Sequence, residues 1–269
     1  MPDLWSIAVL VILMLTAAAL GHVVKDRLPA AHRAQEAIQL AQLNVTLLVT
    51  FIAIVLGLLT TSVKAGFDAA YDLRGTFAGQ LVQLDNCLRD YGPETSPIRE
   101  QLRSYTAASI ASTWSDEPPP KGVKFPDKFP DTAGMPAGPG ESLVLGEIIN
   151  NVGRAIQSLN PTDTPRQNML NDCIRRYDDL IKSRWALIES ERGSISPPFY
   201  WVLVFWLTVL FTCLGLCAPR GAISVIAVVL SAISITVAVY VILDLDLPYG
   251  GVFGIPSQSM RNALADMMR

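Results

Sequence analysis

Histidine is almost missing from this sequence, with 2 among 269 residues. Both, His22 and His32, lie around the first apolar run, so imidazole acid–base catalysis elsewhere in the chain is excluded. Charge is also scarce: 17% of residues are Asp, Glu, Lys or Arg, against about 25% in soluble domains. No Walker phosphate loop, His-Glu-x-x-His, Cys-x-x-Cys or Gly-x-Ser-x-Gly occurs. Nucleotide-loop, zinc-protease, dithiol and serine-hydrolase chemistries drop out, and no cofactor motif remains. The chain does not read as an enzyme. A net charge of −3 and a pI near 5.4 exclude the basic surface that nucleic acid requires. No alternating strand pattern and no internal repeat are present.

What is there is apolar. Mean hydropathy is +0.35, and 51% of residues are hydrophobic. Four runs, residues 4–24, 43–63, 199–218 and 222–243, carry no Asp, Glu, Lys or Arg. A bilayer core needs about 20 apolar residues of helix, so each run is long enough to span it. The first differs from a secretory signal: its Met-Pro-Asp start has no basic residue, and its core outlasts the usual h-region. Trp5, Phe199, Tyr200, Trp201 and Trp206 sit near span ends, where aromatic rings favour the interface. Ser196 before Pro197 and Pro198 reads as the start of the third span. Pro219-Arg220-Gly221 turns the chain back into the fourth.

Residues 64–196 hold 18 of the 24 acids and 15 of the 21 bases, which makes this segment the extramembrane domain. Phe67, Ala70, Leu73, Phe77, Leu81, Leu84 and Leu88 recur every three or four residues, one face of a helix continuing out of span two. Tyr91-Gly92-Pro93 stops it. Further helices are expected over about 97–115, 141–159 and 165–192. Between the first two lies a stretch, 118–140, with seven prolines and four glycines, a composition suited to a loop or tether. The resulting fold class is an all-α membrane protein, with transmembrane helices 1 and 2 in 1–63, helices 3 and 4 in 197–250, and a C-terminal tail in 251–269. Met260, Leu264, Met267 and Met268 share one face of that tail, which reads as an interfacial amphipathic helix capped by Ser257.

Cys87 lies 24 residues beyond Val63, and Cys173 lies 24 residues before Pro197. Straight helices rising 1.5 Å per residue would bring both thiols to one height. Two readings stand: a disulfide, which requires an oxidising compartment, or two small buried hydrophobes. Lys25, Arg27, Arg33 and Arg220 in the short loops point to a cytoplasmic side there, while Lys64, Arg74, Lys182, Arg184 and Arg192 oppose that signal.

Three constellations can carry function. Thr46, Thr50, Ala53, Gly57 and Thr61 form one stripe of span two, suited either to a wet pore or to close helix packing, with Phe51 and Ile54 beside it as an apolar constriction or as lipid contacts. Ala227, Ser231, Ser234 and Ala238 repeat that pattern on span four, where helix packing is the simpler account. Asp244 and Asp246 close span four; carboxylates there are either ion-binding or part of a structured turn. Cys213 and Cys217 lack the further ligands that a metal needs.

Ordered motifs resemble a bacterial bestrophin-like family of unknown function. They are Leu84-Asp85 through Leu88 with Tyr91-Gly92-Pro93-Glu94; Pro197-Pro198-Phe199 with Val204-Phe205-Trp206-Leu207; Gly215-Leu216-Cys217-Ala218-Pro219-Arg220; and Leu243-Asp244-Leu245-Asp246-Leu247-Pro248-Tyr249-Gly250-Gly251. In the last, the family's usual Glu-Leu-Asp and Pro-Phe are replaced by Asp244 and Tyr249, and 118–140 resembles an insertion. The resemblance implies a multi-pass protein of the bacterial inner membrane, and bestrophins proper form pentameric anion channels. No acidic calcium clasp follows the last span here. The expected function is therefore an oligomeric, bestrophin-like ion channel working with inorganic ions in a lipid bilayer, its axis lined by span two. The alternative is a non-conducting scaffold or sensor whose helical domain binds a partner.

Overall fold

A computed structural model describes residues 4–27, 35–126, 143–190, 197–219, 221–249 and 252–269. His32, Arg33, Arg192, Ser196, Arg220, Gly250, Gly251 and the larger part of the 118–140 stretch lie outside the described residues. The helices are α1 (Leu4–Arg27), α2 (Gln35–Tyr91), α3 (Ser96–Thr113), α4 (Leu143–Gln157), α5 (Thr164–Ser190), α6 (Pro197–Cys217), α7 (Ala222–Leu245) and α8 (Gln258–Met268). The described residues contain no strand. Two compact units emerge, one of Met1–Phe67 with Gly193–Phe253, the other of Asp68–Arg192 with Gly254–Arg269.

The first unit contains four helices long and apolar enough to cross a membrane, on α1, α2, α6 and α7. Leu10 and Met14 of α1, Leu207 and Phe211 of α6, and Ala232 and Val239 of α7 form its core. Lipid is as apolar as these side chains, so burial alone does not hold them together; close backbone approach does. At Gly21 an added Cβ would lie 2.1 Å from the carbonyl oxygen of Thr212, and at Gly215 it would lie 2.0 Å from that of Ala18. Glycine is therefore required twice, once on each helix. The hydroxyls of Thr208 and Thr212 donate to the carbonyls of Val204 and Thr208, both at 2.8 Å, so neither is left unpaired in an apolar interior.

In the second unit the expected stripe of α2 packs inward. Ala70, Phe77, Leu81, Leu84 and Leu88 are buried. Gly92 ends the helix with φ +143°, a conformation that L side chains avoid, and Pro93 follows. Thr95 then donates to the carbonyls of Leu88 and Gly92, closing the exposed end of α2. Leu102, Ala108 and Ile110 of α3, Ile149 and Val152 of α4, and Leu180 of α5 complete the core. Gly153 admits the ring of Tyr177, which a Cβ would meet at 2.4 Å.

The C-terminal tail, expected at a lipid interface, forms α8, which belongs to the second unit. Met260, Ala263, Leu264 and Met267 are buried there. An amphipathic stripe looks the same whether it covers protein or lipid; the deciding contacts are distant in sequence. Trp114 Nε1 donates to the carbonyl of Ile255 at 2.8 Å. Glu117 accepts from Ser257 Oγ and, at 3.1 Å, from Arg261 Nε, while Arg261 also donates to the Pro118 carbonyl at 2.8 Å.

Two outcomes follow from these contacts. Gly215→Ala should destabilise the membrane unit by about 1–3 kcal/mol, the usual cost of overpacking, read as a lower unfolding midpoint in detergent. The hydrogen bond from Ser257, then those from Arg261, hold the Glu117 carboxyl below its ordinary range. A depressed carboxyl contributes stability above its unfolded pKa, about 4.3, and loses it as pH falls through the lower folded value. Protection factors of the α8 amides, corrected for the intrinsic pH dependence of exchange, should therefore fall on acidification below about pH 4.3, and Glu117→Gln should flatten that dependence.

Candidate ion pathway

Within the first unit α2 is the least enclosed helix. Only 6% of its most apolar stretch is buried, against 28%, 28% and 22% for α1, α6 and α7. Val45, Leu48, Ile52, Leu56 and Leu59, spaced three or four apart, rest on the core of that unit. The remaining circumference is open.

At about 100° per residue, the open part divides into two stripes. One carries Thr46, Thr50, Ala53, Gly57 and Thr61, all exposed. The other, about 80° further round, carries Leu43, Leu47, Phe51, Ile54 and Leu58, also exposed. Phe51 and Ile54 thus belong to an apolar face adjoining the threonine stripe rather than to the stripe itself. Gly57 has nothing within 4 Å of where a Cβ would stand.

Each threonine donates to the carbonyl four residues earlier: Thr46 to Gln42 at 3.0 Å, Thr50 to Thr46 at 2.9 Å and Thr61 to Gly57 at 3.0 Å. Thr60 does the same to Leu56 at 2.7 Å. A hydroxyl has one proton and two lone pairs. With the proton committed to the helix, what it offers outward is an acceptor.

Asp244 is almost completely buried at the end of α7. Its carboxylate accepts backbone N–H groups from Val252 and Phe253, each at 2.9 Å to Oδ2, with a second contact from Val252 to Oδ1 at 3.2 Å. These bonds close the turn that follows α7. Asp246 caps the same helix, its N–H donating to the Ile242 carbonyl at 3.2 Å. Asp244 thus has a partner in its own backbone, the turn alternative raised by the sequence. No three His, Cys, Asp or Glu among the described residues are placed to hold a metal.

Cys87 of α2 and Cys173 of α5 are bonded, with Sγ–Sγ 2.05 Å and Cα–Cα 5.7 Å across 86 residues. Cys213 and Cys217 remain thiols on α6. Two polar groupings in the second unit escaped sequence reading. Asp85 is buried and takes two hydrogen bonds from Arg99, at 3.0 and 2.8 Å, and the same bond holds the Arg99 guanidinium above its ordinary range. The signal was a carboxylate beside Leu84 on an apolar stripe. Arg74 and Arg184 are buried near Tyr105; burial pushes the Tyr105 phenol up while Arg184 pulls it down. Arg74 lies over the ring of Trp114 at 5.1 Å. Nothing in the spacing of these residues announces that cluster.

Four apolar helices and a disulfide-linked helical unit between the second and third define an all-α, multi-pass membrane protein. The chain belongs to the bestrophin-like family: a bestrophin-like domain profile matches residues 12–260. Its fold is similar to the crystal structure of a bacterial bestrophin homologue from Klebsiella pneumoniae, a single-residue variant, with TM-score 0.65, 16% identity, and 98% of this chain and 96% of that one covered. A second variant of that homologue gives TM-score 0.63 and 16% identity, covering 97% of this chain and 98% of that one. A crystal structure described only as a membrane protein gives 0.63 and 15%, covering 98% and 97%. These likenesses concern the fold. No curated protein matches the chain significantly.

A loop of 86 residues closed by a disulfide is worth about 2–5 kcal/mol. Cys87→Ser with Cys173→Ser should lower stability by that order, read as a reduced denaturation midpoint. In the unaltered protein, unfolded without reductant, mass spectrometry should show maleimide on Cys213 and Cys217 only; four modified cysteines would refute the bond.

Proposed function

We propose that this protein is an oligomeric ion-conducting pore of the bacterial inner membrane, its axis lined by the threonine stripe of α2. The observation that carries the reading is the openness of α2, whose most apolar stretch is only 6% buried within its own chain. A helix that leans on its neighbours through one face only is suited to standing around an axis shared with other copies. Thr46, Thr50, Gly57 and Thr61 face that axis, and Phe51 and Ile54 flank it, where adjacent copies narrow the path. Five copies are the number implied by analogy with bestrophins.

The same lining favours cations. Committed hydroxyl protons leave oxygen lone pairs as the exposed groups, and such rings replace part of a cation's hydration. Residues 39–63 contain no Lys or Arg to attract anions. This departs from the anion conduction of bestrophins proper. Asp246, at the end of α7, is a further candidate for drawing cations toward the pore, whereas Asp244 serves its turn.

The disulfide supports placing residues 68–192 on the oxidising, periplasmic side, and the basic residues Lys25 and Arg27 support a cytoplasmic first loop.

Purified protein in liposomes should pass Na⁺ or K⁺ with a reversal potential that follows the cation gradient. Thr50→Val keeps the shape and removes the oxygen; at about 1 kcal/mol per lost hydrogen-bonding contact, flux should fall several-fold. Phe51→Ala should raise it. Silence toward Na⁺, K⁺ and Cl⁻ would leave the non-conducting scaffold as the surviving account, and a reversal potential following Cl⁻ would reject the cation assignment.

A further inference from the structure

The close contact of α1 with α6 leaves α7 standing off at one end of the membrane unit. There a cavity of about 470 Å³ opens between the three helices. That size lies inside the range of about 300–1,000 Å³ typical of ligand pockets. Its walls are small and apolar, Ala18, Ala19, Gly215, Val225 and Val228 among them, and among the described residues His22 and Ser224 are the polar side chains on it. The cavity has a charged mouth. Lys25, one turn beyond His22 on α1, donates its ammonium to the carbonyl of Ala218 at 2.7 Å, and Ala218 is itself part of the lining. An ammonium has three N–H donors, and this bond uses one. The charged residues closing α1 are Lys25, Asp26 and Arg27, net positive.

We propose that this cleft holds one acyl chain of an anionic glycerophospholipid, with the lipid phosphate against Lys25 and His22. Away from His22 and Ser224 the walls offer no polar side chain among the described residues, and ordered water needs two to four polar partners. In a bilayer the apolar material at hand is the acyl chain. The mouth decides the headgroup. Basic pockets between membrane helices select anionic lipids, because the ammonium–phosphate attraction grows as water is excluded. Lys25 is held in place by the Ala218 carbonyl, so little ordering is left for the lipid to impose. The imidazole of His22, one turn deeper, can donate a second hydrogen bond to a phosphate oxygen. This inference is independent of ion conduction, since it concerns α1, α6 and α7 and not the open face of α2.

The test is lipid retention. Delipidated full-length protein is reconstituted into vesicles of equimolar phosphatidylglycerol and phosphatidylcholine, extracted, and examined by native mass spectrometry. Phosphatidylglycerol should be retained at about one molecule per chain and in several-fold preference. Lys25→Gln should abolish the preference while leaving the oligomer mass unchanged. Ala19→Phe, which fills the cleft, should lower retention of both lipids. Equal retention of the two lipids by the unaltered protein, or a preference that survives Lys25→Gln, would overturn the assignment. So would an Ala19→Phe variant that retains lipid normally but loses oligomer mass, since the cleft would then seat a second copy. If Ala19→Phe does not fold, Lys25→Gln alone decides.

Discussion

Backbone approach between α1 and α6 is the interaction on which the membrane unit depends. In water, the apolar faces of these helices would be driven together at about 25 cal/mol per Å² buried. In lipid that drive vanishes, and dispersion contacts over a short distance must take its place. Gly21 and Gly215 provide that distance by presenting no side chain to the facing carbonyls. Their cost as helix residues, about 1 kcal/mol each relative to alanine, is offset only if the contact forms. The unevenness of the unit follows. Where α1 and α6 are drawn close, α7 is left partly separate, and the cleft with its lysine mouth results. α2 shares least in the packing, and its open circumference is what a second copy could complete.

A second constraint concerns the hydroxyls. A buried, unpaired hydroxyl costs roughly 1–3 kcal/mol. Thr46, Thr50, Thr60, Thr61, Thr208 and Thr212 avoid this by donating to their own helices. That habit makes a threonine stripe uninformative by itself, because a satisfied threonine fits lipid, protein or water. What separates the stripes is their neighbours. On α6 the threonines are partly covered by other helices, whereas on α2 they lie beside Gly57 with nothing near it.

Helices were legible in the sequence wherever a period repeats. Each of the four uncharged runs matches a helix of the membrane unit to within a residue or lies inside it, and the Phe77–Leu88 stripe is buried as its spacing requires. The matched offsets of Cys87 and Cys173 suggested a common height, and the two are bonded. What could not be read is anything that depends on which surfaces meet. α8 has the composition of an interfacial helix, and only Trp114, Glu117 and the Pro118 carbonyl, some 140 residues away, show that it covers protein. Asp244 has the position of an ion ligand, and only the return of the chain at Val252 and Phe253 gives it backbone donors. Asp85 and Arg99 pair across a helix turn that Gly92 and Pro93 create, so their meeting depends on the turn rather than on either helix.

The three faces of α2 bear on what each can contact. The face of Val45, Leu48, Ile52, Leu56 and Leu59 is taken by its own unit. The Leu43, Leu47, Phe51, Ile54 and Leu58 face is uniformly apolar, and wetting it would cost free energy in proportion to its area. It is stable against lipid or against an apolar face of another copy. The threonine and glycine face costs little to wet, since small side chains expose little apolar area and the hydroxyl oxygens accept hydrogen bonds from water. If copies of this chain surround an axis, the arrangement of lowest free energy turns the threonine face inward and leaves the leucine face to lipid and to the seams between neighbours, where Phe51 and Ile54 border the path. The same geometry explains why a monomer would gain nothing from the stripe: lipid offers no donor to those oxygens, and leucine there would serve as well.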